Sequence, residues 1–284
     1  MDRTLKVDGN SECRNAHGVD SDFYNVYFGL GHGLKLIDNA KVFRVSPAGA
    51  AFGSLLVRHF QRESSSQRFL DVGTGSGVHA LLLRSMGVSA VTATDVSDVA
   101  VAVAKKNEMN NFGVNVIDFV VGDLFEGLRS RESRYDVVMF NPPGWGTPSQ
   151  SFIEELKAQG DQEGLSVDSM FYGDRTLKTF FEKLPCHLVD GGKVVIGLNS
   201  MVGIKSVIDF VKGLYSDEYK VQFTLLERHE FPLILYTKSW ARMRARLVEE
   251  ALRWRDDGEA YFNYSAKGEI TWFYEIVELT LLKR

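Results

Sequence analysis

The chain has 284 residues, 44% of them apolar, with a formal net charge of −4 and two cysteines. That length is long for one ordinary domain and short for two, and it supplies apolar material for a sizeable core. The acidic balance argues against bulk nucleic-acid binding, which phosphate neutralisation drives, and Cys13 and Cys186 make no disulfide framework.

Residues 1–20 read as a flexible polar tail, and Met1 to Asn15 lacks the apolar core of a secretory signal. No stretch reaches the roughly 18 apolar residues that span a bilayer. The expectation is a soluble, cytoplasmic protein. Residues 21–64 read as an N-terminal cap and a first helix. The cap mixes Phe23, Tyr24, Tyr27 and Phe28 with the run Gly29-Leu30-Gly31-His32-Gly33, and is expected to be irregular. Pro47 opens the helix, with Ser46 as its N-cap.

From residue 65 strands and helices alternate to the end of the chain. Strands are expected at 69–72, 90–94, 114–121, 135–140, 193–198, 221–227 and 270–282. Helices are expected at 77–86, from Ser97 to about 111, at 174–189 closed by Asp190-Gly191-Gly192, and after Gly203. This alternation implies a parallel sheet covered on both faces. An insertion at about 236–266 precedes the last strand. Its Trp240, Met243, Leu247, Ala251 and Trp254 share one helical face, which suits either packing on the domain or a substrate lid or dimer contact.

Four motifs fall where strands end. In Asp71-Val72-Gly73-Thr74-Gly75-Ser76-Gly77, three missing Cβ atoms let the backbone turn sharply and approach a ligand. The helix that follows offers free N–H groups to an anionic group. A dinucleotide fingerprint needs its third glycine one position later, where Val78 stands. Asp95 ends the second strand, about twenty residues on, where a carboxylate accepts from both hydroxyls of a ribose. Capping of the next helix is the competing role, but Ser97 is already placed for it. Gly122-Asp123-Leu124-Phe125 follows the third strand. Asp123 suits an adenine amino group, and Leu124 and Phe125 suit the ring.

The fourth motif is Asn141-Pro142-Pro143-Gly144. Each proline fixes φ, deletes an N–H and drives its predecessor into extended geometry. Asn141 is therefore held extended at a strand's C-terminal end, where open α/β sheets bind ligands. Its side-chain oxygen and the Pro142 carbonyl are two acceptors for one N–H₂ group. Taken alone, this is also a rigid structural turn. The six histidines are scattered. Cys186 and His187 lack a chelating spacing, and no G-x-S-x-G elbow exists, so metal or serine-hydrolase chemistry has no support.

In this order the motifs resemble the class I S-adenosylmethionine-dependent methyltransferases. The resemblance is to the Asn-Pro-Pro branch, whose members methylate protein glutamine amides and nucleic-acid exocyclic amines. It implies an α/β fold, a seven-stranded, mostly parallel, doubly wound sheet of Rossmann-like type, with an N-terminal cap and a helical insertion. It implies S-adenosyl-L-methionine as cofactor, in contact with Asp71, Gly73, Thr74, Gly75, Gly77, Asp95, Val96, Asp123, Leu124 and Asn141. Asn141 and Pro142 would grip the acceptor nitrogen. The aromatic that follows Pro-Pro in the family is Gly144 here, with Trp145 one step later, so Pro143 and Trp145 are assigned to the acceptor. That acceptor is expected to be a protein side chain or a small molecule. O- or C-methylation, a nucleotide-dependent oxidoreductase and a non-catalytic cofactor-binding protein are the alternatives.

Overall fold

The computed structural model describes residues 23–60, 66–128, 133–158, 170–233 and 241–284. The expected tail and Trp240 lie outside the described residues. Ten strands and seven α-helices are described. β1 (Phe23–Gly29) and β2 (His32–Ile37) form an antiparallel hairpin. The irregular cap expected there is instead a regular ribbon. Gly29, Leu30 and Gly31 have positive φ and make its turn, and Phe28, Leu34 and Leu36 feed the core. α1 (Pro47–His59) follows, with the Gly49 N–H donating to Ser46 Oγ at 3.0 Å as an N-cap should.

The large sheet contains β3 (Arg68–Val72), β4 (Ala90–Asp95), β5 (Asp118–Val121), β6 (Tyr135–Phe140), β7 (Leu188–Asn199), β8 (Tyr219–Pro232), β9 (Phe262–Tyr264) and β10 (Ile270–Lys283). Its order is β5-β4-β3-β6-β7-β10-β8, with β9 added alongside β10. The first five strands of that order are parallel. β10 runs antiparallel to both β7 and β8. The seven expected strands are all present, and β9 is an eighth.

α2 (Val78–Ser85), α3 (Asp98–Phe112), α4 (Gln150–Ala158), α5 (Gly173–Lys183), α6 (Ile204–Leu214) and α7 (Arg244–Asp256) complete the helices. Both sheet faces are covered, and the strands alternate between two cores. Val137 and Met139 of β6 pack with α1 and α2 residues such as Phe52 and Leu82. Val138 and Phe140 pack with Phe180, Leu177 and Val207 on the other face.

Several boundaries differ from the sequence expectation for identifiable reasons. β5 begins at Asp118 rather than Val114, because the Val116 and Ile117 N–H groups donate to the buried Glu108 carboxylate instead of a strand. The helix expected to reach 189 ends at Lys183, and Pro185 sits in the 3₁₀ turn Leu184–Cys186. Asp190-Gly191-Gly192 lies inside β7 and does not close a helix. β8 runs on to Pro232 because β10 pairs with it that far.

The described part of the insertion is α7 and β9. Leu247, Ala251 and Trp254 are buried against Phe152, Phe171 and Met201. Trp254 Nε1 and Arg253 Nη2 both donate to the Thr147 carbonyl, at 2.9 and 3.0 Å. α7 therefore braces the segment that follows Asn141-Pro142-Pro143.

Candidate active site

All five parallel strands end at one edge of the sheet, and a cavity of about 750 Å³ opens there. That volume lies in the roughly 300–1,000 Å³ range of small-molecule clefts. Gly73, Thr74, Gly75, Asp95, Val96, Asp123, Leu124, Asn141, Pro142, Pro143 and Trp145 line it. Four loops, spread over some seventy residues of sequence, are thus brought to one wall. Asp71 and Gly77 are not lining residues. Asp71 is buried beneath the glycine loop and accepts the Thr74 hydroxyl at 2.6 Å.

The loop is tied down from several directions. Asp95 Oδ2 accepts the Gly75 N–H at 2.8 Å, and Oδ1 accepts the Ser97 N–H at 2.9 Å. Ser97 also caps α3 by accepting from the Ala100 N–H, so capping and Asp95 are separate functions. Asn107 Nδ2 donates to the Ser76 carbonyl from α3. The Thr94 hydroxyl donates to the Leu124 carbonyl, joining the second and third loops. Burial raises both the Asp71 and the Asp95 carboxyl above the usual carboxylate range. Hydrogen bonds from the Ser97 and Gly75 amides pull Asp95 part of the way back.

The glycines of the loop are not equivalent. A Cβ on Gly75 would meet nothing within 4 Å, so that backbone lies open to the cavity. A Cβ on Gly77, at φ +82°, would stand 2.8 Å from Ala104 Cβ and 3.2 Å from Ala104 Cα. Gly77→Ala is therefore expected to destabilise the fold by about 1–3 kcal/mol, through strain and overpacking of α2 on α3. A urea unfolding midpoint equal to that of the parent would contradict this.

The opposite wall comes from elements distant in sequence. α1's first turn contributes Ser46 and Gly49, and His79 Nε2 lies 2.9 Å from the Gly49 carbonyl oxygen. The register of β10 places Tyr274 opposite Asn199, and Trp272 opposite Phe231. All four line the cavity. The Tyr274 hydroxyl donates to Asn141 Oδ1 at 2.7 Å. Tyr274, Trp272, Phe231 and Asn199 have no sequence signal, since they sit in ordinary strand patterns far from the motifs.

Trp145 is only 3% exposed and packs edge-on against Phe171, with ring centroids 5.2 Å apart. It touches the cavity edge but belongs to the core that α7 completes. Gly144 has a steric reason to be glycine. A Cβ there would come within 2.6 Å of Asn199 Nδ2, so an aromatic in the family's usual place would collide with Asn199.

Residues 34–155 match the family model of the methyltransferase small domain. Over 172 residues the chain is 27% identical to a protein named as a protein N5-glutamine methyltransferase from Methanocaldococcus jannaschii, covering 60% of this chain and 80% of that one. It is 29% identical over 162 residues to the release factor glutamine methyltransferase of Rhodopirellula baltica, covering 55% and 53%. Among solved structures, the T. thermophilus 16S rRNA N2 G1207 methyltransferase in complex with AdoMet and guanosine superposes with a TM-score of 0.51 at 15% identity, covering 89% of this chain and 50% of that one. The chain spans about half the length of the last two. The sheet order, the cavity at its C-terminal edge and the family match agree. Residues 34–155 match a methyltransferase small domain, and over the matched part the chain is similar to S-adenosylmethionine-dependent methyltransferases.

Proposed function

We propose that this enzyme methylates a nitrogen, that of an amide or amine on a protein side chain or a small molecule. The observation that carries the proposal is the position of Asn141-Pro142-Pro143 on the same cavity as the Asp95-bound glycine loop. The relatives named as glutamine methyltransferases favour a carboxamide among the possible nitrogens.

The cavity suits the cofactor. The backbone at Gly75 is open to it, Asp95 offers a carboxylate to ribose hydroxyls, and Asp123 and Leu124 flank a place for adenine. The glycine loop and the N-terminus of α2 face the site for the methionine end, with Asp71 holding Thr74 from below. S-adenosylmethionine supplies a methyl group on a sulfonium, reactive enough to need no metal and no strong base.

The protein's task is then to place and polarise the acceptor. Asn141 Oδ1 and the Pro142 carbonyl accept the two hydrogens of an N–H₂ group. Two such bonds turn the nitrogen lone pair out of conjugation and hold it in line. Orientation of this kind is worth up to roughly 7–11 kcal/mol. The same two dipoles stabilise positive charge developing on nitrogen. The extra proton leaves to water once the nitrogen is cationic.

The test uses tritiated S-adenosylmethionine with a release factor, its glutamine-to-glutamate variants, and the small-molecule fraction of a lysate. Transfer to an amide is expected to give label that acid hydrolysis releases as methylamine. Label released by mild base as methanol would mark an ester and overturn the nitrogen assignment.

Binding should also depend on pH through Asp95. Its folded pKa is raised by burial, so the carboxylate form persists only above that raised value. Ionised Asp95 costs the cofactor-free fold stability above the unfolded pKa, and protonation relieves that cost. Affinity for S-adenosylhomocysteine is expected to move the other way, falling as pH drops through the raised pKa. Calorimetric titration between about pH 4.5 and 8 checks this. Asp95→Asn should flatten the dependence, and a parent profile that is equally flat would remove Asp95 from ribose binding.

A further inference from the structure

Tyr274 is 2% exposed, and no function is assigned to it by the motifs. It lies at the cavity edge of β10, within an aromatic group whose Phe231 and Trp272 ring centroids are 6.3 and 6.2 Å from its own. Its hydroxyl reaches across the sheet to Asn141 Oδ1 at 2.7 Å. The neighbouring strand is shaped for it, because a Cβ at Gly197 of β7 would collide with the Tyr274 hydroxyl. A bulky aromatic, a glycine beside its hydroxyl on the neighbouring strand and the acceptor-gripping asparagine therefore converge on one hydrogen bond.

We propose that Tyr274 is a positioning residue that fixes the amide plane of Asn141, so that Oδ1, and not Nδ2, is offered to the acceptor nitrogen. This rests on the reading of Asn141 as part of the acceptor clamp. A primary amide turned by 180° presents a donor where the acceptor's N–H₂ needs an oxygen, and the clamp then repels its substrate. The Tyr274 hydroxyl selects between the two orientations. Were Nδ2 turned toward it, the phenolic proton would be left buried without a partner, which is costly. Burial also keeps the phenol protonated well beyond the ordinary tyrosine range, so it stays a donor at any working pH. Oδ1 has two lone pairs. One serves Tyr274, and the other remains for the acceptor beside the Pro142 carbonyl.

The test compares the parent chain with Tyr274→Phe, which keeps the ring and removes only the hydroxyl. With ¹⁵N-labelled asparagine and saturating S-adenosylhomocysteine, the Asn141 side-chain N–H₂ pair is assigned by its absence in Asn141→Ala. In Tyr274→Phe that pair is expected to shift and to exchange with water at least tenfold faster. An unchanged pair would overturn the proposal. Tritium transfer to a release factor supplies the second readout. Tyr274→Phe should lower kcat about tenfold, with affinity for S-adenosylhomocysteine within about twofold, and should change nothing further in an Asn141→Ala background. Full additivity of the two substitutions would show Tyr274 acting independently of Asn141 and would also overturn it. Should Asn141→Ala turn over like the parent, the clamp reading fails; a release factor that takes no methyl removes only that acceptor; in both cases the spectrum still decides whether Tyr274 holds Asn141.

Discussion

Asn141→Ala is expected to lower turnover by about 100- to 1,000-fold and to leave affinity for S-adenosylhomocysteine within about twofold. The size follows from the proposed role of the side chain at the reacting centre. Removing one preorganised dipole aimed at developing charge typically costs that much, and in the proposed clamp the same oxygen also orients the lone pair. The fold should survive, because Asn141 lies on the cavity rim and the prolines hold the loop extended without it. Its one described side-chain bond is to Tyr274, whose phenol would then face the cavity left by the amide. Tritium transfer gives kcat and calorimetry gives affinity. Turnover within threefold of the parent would take Asn141 out of the chemistry.

Asp95→Ala is expected to weaken S-adenosylhomocysteine about 10- to 100-fold. Two effects add in the same direction. A hydrogen bond to a charged group is worth about 1.5–3 kcal/mol, and a ribose offers two hydroxyls to the carboxylate. The substitution also frees the Gly75 and Ser97 N–H groups that the carboxylate holds at 2.8 and 2.9 Å. The loop then loses the anchor that keeps its open backbone toward the cavity. α3 itself should be spared, since Ser97 caps it through its own hydroxyl. Calorimetric titration reads the loss directly. Affinity equal to that of the parent would mean that the carboxylate serves the loop alone.

These two residues were legible in the sequence because each sits in a short contiguous signal. A glycine run after an apolar strand and Asn-Pro-Pro after another are local statements about backbone conformation. The caps Ser46 and Ser97 were legible for the same reason, since one side chain satisfies an N–H three residues away. Strand ends were less legible. Val114 and Val116 have strand-like side chains, yet a buried Glu108 takes the backbone donors of Val116 and Ile117. Trp145 shows a second role that the sequence did not signal. An aromatic beside the Asn-Pro-Pro loop suits stacking on an acceptor, but α7, a hundred residues later, completes a core around it.

The sequence by itself determined the alternation of strands and helices, the cofactor-type loop and the asparagine that ends β6, since all of these depend on neighbours a few residues apart. The tertiary structure alone decided what faces that asparagine. Tyr274 reaches Asn141 across 133 positions of chain. It does so only because β10 pairs antiparallel with β7 in a register that sets Tyr274 against Asn199. A slip of one residue would turn it to the other face of the sheet, and pairing register is a property of two strands together, which no single segment contains.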